Sequence, residues 1–143
     1  MTNGPNTDFD VVRLEERGEA AGQPYAVYKV IGGPPDMPDI PEGERDLDLF
    51  VTDLFLAQMR KEITEVSTGQ EKPAAIILDM SPLVFVDSAG MQALIAIRSW
   101  IGHERFYVAQ MQRAPKRVFE IMALAAHIRT AGSVQEAVLN LSQ

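Results

Sequence analysis

The residues best placed to do chemistry are Asp87-Ser88-Ala89-Gly90. A serine followed by two very small residues presents an accessible hydroxyl, and Asp87 or Ser88 can equally serve as a plain helix cap. A hydrolytic serine would need more. The Gly-x-Ser-x-Gly elbow is absent, because Val86 stands where its first glycine belongs. The two histidines, His103 and His127, lie downstream, and nothing marks either as a base. Asp79 closes an apolar run and could ligate something or bond nearby loop amides. Arg113, Lys116 and Arg117 could hold an anion at a helix start or form a solvated basic face. Trp100 reads as packing. With no cysteine in the chain, disulfides, thiol catalysis and thiolate metal sites are excluded. Two histidines make a His-based metal site improbable. No Gly-x-Gly-x-x-Gly or P-loop pattern occurs. The expectation is no catalytic residue, no metal and no cofactor.

The elements that must position these residues follow from periodicity. Val11–Leu14 reads as a strand, Gly18–Gln23 as a turn, and Tyr25–Ile31 as the returning strand of a hairpin. Gly32–Gly43 holds three glycines and four prolines in twelve residues, which predicts a loop. With its acidic continuation that loop spans residues 32–46, of which residues 34–45 are expected to be exposed and mobile. Leu47, Val51, Leu54, Phe55, Met59, Ile63 and Val66 repeat at helical spacing, and Gly69 is placed to end that helix. Ala74–Met80 is apolar without alternation, as in a strand buried on both faces. Ser81–Asp87 is a connector, apolar enough to be packed down. A helix then runs from Asp87 or Ser88 to about Gly102, and Arg105–Met111 is a strand. Ala114-Pro115 starts a helix with Val118, Ile121, Met122 and Ala125 as its stripe. His127–Thr130 is a last strand. Ser133, with Glu136 three residues on, caps a last helix.

This order, β-β-α-β-α-β-α-β-α, predicts an α/β domain. A mixed, mostly parallel sheet would be covered by about four helices, with an opening β-hairpin. At 143 residues, one domain over 8–143 is expected, after a disordered tail at 1–7. The chain start has neither a basic region nor an apolar core, so no secretory signal is expected there. No apolar run approaches the roughly 20 residues of a membrane span. The net charge is −7, and it is unevenly spread. Residues 1–72 carry 15 acids and 7 bases, whereas residues 73–143 carry 5 and 6. From Asp36 to Asp53 there are seven acids against Arg45 alone. Nucleic acid and anionic membranes are poor partners for such a chain. The acidic stretch reads as a solvated loop or as a docking patch for a basic partner.

The stretch Ile77-Leu-Asp-Met-Ser-Pro-Leu-Val-Phe-Val-Asp-Ser-Ala-Gly-Met-Gln-Ala-Leu94 resembles the STAS domain of anti-sigma factor antagonists. That motif is a strand, then Asp-x-Ser/Thr-x-Val-x-Phe-x-Asp-Ser-Ser/Ala-Gly, then an apolar helix. The pattern from Arg113 to Met122, Ile128 and the helix from Ser133 agrees, so the resemblance spans about residues 74–140. It implies a non-enzymatic, cytoplasmic protein-binding regulator. Its partner would be a serine kinase/anti-sigma factor of the partner-switching type. Ser88 would be the phosphoacceptor, and Asp87, Ala89, Gly90, Met91 and Gln92 would flank it on the binding face. The unphosphorylated form would bind the kinase and free a sigma factor or another target. The family's Gly-x-x-Asp loop corresponds to Gly33-Pro-Pro-Asp36, which makes Asp36 a partner-binding candidate. Here Pro-Pro replaces the usual Glu-Leu, and the loop is lengthened. The alternative within the same fold is a constitutive scaffold, or a subunit of a signalling or transporter-associated assembly without phosphoswitching.

Overall fold

Residues 10–142 are described by the computed structural model, so the tail expected at 1–7 lies outside the described residues. β1 (Val12–Ala20) and β2 (Gln23–Val30) form the opening antiparallel hairpin. Ala21 and Gly22 make a two-residue turn with φ of 52° and 79°, the hand that matches strand twist. The turn is therefore narrower than Gly18–Gln23. Gly18 lies in the ladder opposite Tyr25, where a Cβ would come within 2.7 Å of the Tyr25 hydroxyl. Its glycine makes room for a ring rather than a bend. β1 forms one edge of the sheet. Its exposed stretch carries Arg13, Glu15, Glu16, Arg17 and Glu19, charges that oppose edge-to-edge pairing.

β2 continues in parallel to β4 (Ala75–Asp79), β6 (Phe106–Ala109) and β7 (Arg129–Ala131), giving the order β1-β2-β4-β6-β7. All five residues of β4 are buried, which is why its sequence is apolar without alternation. One face, with Ile76, Leu78, Phe106 and Val108, packs against α1 (Thr52–Val66), α2 (Ser88–Ile101) and α3 (Arg113–Ile121). The other face, with Ala75, Ile77 and Tyr107, packs against α4 (Val134–Leu141). Ser133 accepts the Glu136 N–H at 3.0 Å, and the Glu136 carboxylate accepts from Gly132, so both sides of that cap are engaged. The α/β architecture, its four helices and its mostly parallel sheet are as the sequence implies.

Two strands were not expected. β3 (Arg45–Leu47) and β5 (Leu83–Val86) pair in parallel to form a separate two-stranded sheet. Leu47 thus belongs to a strand, fully buried and paired with Val86, and α1 begins only at Thr52. The loop of residues 32–46 is also less free than its prolines suggest. Arg45 is buried and donates to the carbonyls of Ile31, Gly32, Pro34, Met37 and Ile40, stitching the loop from within. Further on, α3 buries Pro115 and Phe119, while Val118 and Met122 pack partly. Ile121 is 73% exposed and Ala125 is exposed. The helix stops at Ile121 and Ala123 turns left-handed, which rotates the later residues off the expected stripe. The last strand falls at Arg129–Ala131, with Ile128 in the core and His127 exposed.

Candidate binding site

The site is assembled where β4, β5 and α2 follow one another. Asp79, buried at the end of β4, accepts the Ser81 N–H and the Gln110 side-chain amide, both at 2.9 Å. Its carboxylate therefore fixes the start of the connector and the end of β6. Gln112 reaches across to the carbonyls of Ser81 (2.9 Å) and Gly43 (3.0 Å). The chain then enters β5 and arrives at Asp87.

Asp87 does two jobs at once. Oδ1 accepts the Gly90 N–H at 2.9 Å, capping α2, and Oδ2 accepts the Leu49 N–H at 3.0 Å. Its own N–H donates to the Leu47 carbonyl at 3.2 Å. Asp48 accepts the Phe50 N–H at 3.0 Å, and the Thr52 hydroxyl donates to the Leu49 carbonyl. The turn between β3 and α1 is thereby tied to the start of α2. It holds two apolar side chains outward: Leu49 is 66% exposed and Phe50 90%. The connector is packed down through Pro82, Leu83 and Val86, but Val84 (42%) and Phe85 (50%) on β5 are exposed, against expectation. Its flanks, Leu83 and Val86, take the inward places against β3.

Ser88 is exposed as the first residue of α2, and its hydroxyl makes no hydrogen bond to the described residues. Gln92 is exposed one turn later, and Ala89 is half-buried. Gly90 and Met91, by contrast, face inward. Met91 is fully buried, and a Cβ on Gly90 would lie 2.5 Å from the Leu47 carbonyl oxygen. The backbone that Gly90 lets approach is this chain's own, and both residues are buried. Asp36 is exposed in the loop pinned by Arg45 and makes no hydrogen bond or ion pair among the described residues.

The site is acidic. Burial raises the pKa of Asp46, with Asp48 and Asp87 adding to the rise and Arg45 opposing it. Neither histidine serves Ser88. His103 follows the far end of α2, about 21 Å along a 14-residue helix, and its Nδ1 meets the His127 carbonyl. Arg113, Lys116 and Arg117 are exposed on α3 beside Glu120. Among the described residues no cluster of His, Asp or Glu side chains is arranged to hold a metal, and no helix is long and apolar enough to cross a membrane. Sequence reasoning missed Leu49, Phe50, Val84 and Phe85. The first two fall off the Leu47–Val51–Leu54 helical spacing, which was the available signal.

The family model described as STAS domain matches residues 44–137. The fold is similar to a crystal structure of an anti-sigma factor antagonist from Mycobacterium paratuberculosis. Identity is 15% and the TM-score 0.66, over 99% of this chain and 100% of that one. It is also similar to the anti-sigma factor antagonist SpoIIAA in its unphosphorylated form. There the identity is 14% and the TM-score 0.53, over 90% of this chain and 94% of that one. No curated protein matches the sequence.

Proposed function

The chain belongs to the STAS domain family, and we propose that it is a phosphorylation-switched, protein-binding regulator rather than an enzyme. Its Ser88 face binds a serine kinase/anti-sigma factor while Ser88 is unmodified, which frees a sigma factor or another target. Such a kinase draws on ATP, so the reading places the chain in the cytoplasm. The observation that carries it is the Ser88 hydroxyl: exposed, unengaged, and at the first position of a helix beside exposed apolar side chains.

The switch follows from elementary electrostatics. The Ser88 oxygen attacks the γ-phosphorus of ATP, the bond to the β-phosphate oxygen breaks, ADP leaves, and the hydroxyl proton passes to a base of the kinase. The product carries about −1.5 to −2 charges and three acceptor oxygens. Within the protein this dianion sits at a helix N-terminus, where negative charge is tolerated. Where Ser88 packs against a partner, the small hydroxyl becomes a bulky dianion that must be desolvated beside Asp87, and that steric and desolvation cost, rather than the charge of the face as a whole, breaks the contact. Binding is lost while the fold stays.

The test uses purified anti-sigma-type serine kinases from the source genome, with affinity read by calorimetry and phosphate located by mass spectrometry. Ser88→Ala should bind and take no phosphate. Ser88→Asp should bind at least 10-fold more weakly, with stability within about 1 kcal/mol of wild type because an acid suits the first helical turn. Should Ser88→Asp bind as tightly as wild type, or phosphate appear on Ser81 or Ser99, the constitutive scaffold takes the place of the switch.

A further inference from the structure

We propose that Leu49 and Phe50 are the anchor of a docking surface, and that its occupant is a protein surface with an apolar pocket rimmed by lysine or arginine. The inference rests on the binding face described above but does not require that the partner be a kinase. Phe50 is the most exposed large apolar side chain among the described residues, and Leu49 precedes it. Solvent exposure of two such neighbours is unfavourable unless something covers them.

They are not on a loose loop. Asp87 holds the Leu49 N–H, Asp48 holds the Phe50 N–H, and Thr52 holds the Leu49 carbonyl. Three hydrogen bonds fix the turn before any partner arrives, which lowers the ordering cost of binding. Aromatic anchors presented in this way carry a large share of binding energy at protein interfaces. Val84 and Phe85 extend the apolar area on β5, the strand paired with β3.

Charge identifies the occupant. The anchor is surrounded in sequence and space by Asp46, Asp48, Asp53 and Asp87. Arg45 is the one base between residues 36 and 53, and it is buried among backbone carbonyls with no hydrogen left to offer outward. None of these four carboxylates forms a salt bridge among the described residues. A second copy docking the same patch two-fold would set these carboxylates against themselves. An anionic membrane would be repelled. A basic-rimmed protein pocket satisfies both the apolar centre and the acidic surround.

The experiment places the photocrosslinking amino acid p-benzoylphenylalanine at position 50 of the full chain in source cells. A control carries it at position 139, since Leu139 is also apolar and 65% exposed but lies on α4 at the opposite face. Captured proteins are identified by mass spectrometry and purified for binding. Position 50 should capture one protein with a Lys/Arg-rimmed apolar pocket, and position 139 should not. Phe50→Ala should weaken its binding at least 30-fold, and Leu139→Ala less than 2-fold. Asp48→Asn with Asp53→Asn should weaken it at least 5-fold at low salt and much less at high salt. Both substitutions are at exposed or turn positions, and circular dichroism checks that each variant is folded. If the captured protein is a serine kinase, this inference and the proposed function stand together. If it is a different protein with that pocket, the anchor stands and the kinase reading fails. Equal capture from both positions, capture of a second copy, no capture, or binding indifferent to the aspartates would overturn the inference.

Discussion

An alanine at position 90 should lower stability, although glycine-to-alanine changes within helices ordinarily raise it. Helix propensity alone favours alanine by about 1 kcal/mol. Against this, a Cβ at position 90 would lie 2.5 Å from the Leu47 carbonyl oxygen, 2.7 Å from Val86 Cγ1 and 3.1 Å from Leu47 Cγ. The first contact is with backbone, so no side-chain rotation relieves it. Either β3 or the start of α2 must move, and overpacking of this kind costs about 1–3 kcal/mol. The same carbonyl accepts the Asp87 N–H, so displacing it weakens a hydrogen bond worth about 1 kcal/mol. The opposing terms leave a net loss of about 1–3 kcal/mol. Urea unfolding followed by circular dichroism should show a lower midpoint with an unchanged slope. Gly132→Ala is the control. The nearest atom to its Cβ would be Glu136 Oε2 at 3.9 Å, and its stability should stay within about 1 kcal/mol of wild type. A Gly90→Ala variant as stable as wild type, or more so, would refute the close approach of β3 to α2.

Arg45→Ala should cost about 2–4 kcal/mol, because it strips the donor from carbonyls left at the inner side of the loop. Faster amide hydrogen exchange confined to residues 32–46 should accompany the loss, and unchanged exchange there would show that the loop is held by other means. Asp46→Asn should alter the pH dependence in a definite direction. Burial, then Asp48, raises the folded pKa of Asp46, so in the wild type the folded state keeps a proton that the unfolded state has lost, and stability declines as pH rises from about 4 through the raised value. The variant lacks that decline, so its urea midpoint should gain on wild type between pH 3 and pH 7; a variant that falls behind over that range contradicts the assignment.

Much that depended on local periodicity was legible in the sequence, although the helical spacing overran the start of α1 at Leu47 and the end of α3 at Ile121. β4 is apolar throughout because both of its faces are covered, and a run from Ala74 to Met80 declares this without reference to its neighbours. The start of α2 at Asp87-Ser88 and of α4 at Ser133 rests on caps whose donors lie three residues away. Ser88 stood out for the same reason, as a hydroxyl beside small residues, and its part as a phosphoacceptor came with the family resemblance. The remainder depended on contacts between distant segments. β3 and β5 have three and four residues, too few to carry a period, and each is a strand only because the other lies beside it. That pairing decides which side chains of Leu83–Val86 turn inward, and it leaves Val84 and Phe85 exposed. It also buries Gly90 against Leu47, brings the Asp87 carboxylate to Leu49, and so lifts Phe50 into solvent. Composition could not reveal that Arg45, alone among the acids, is spent on five carbonyls, since a cation's partners are set by where the chain folds back. Spacing along the chain determined the helices and the central strand; the docking face exists only once two short strands, 38 residues apart in the first pair of their register, have met.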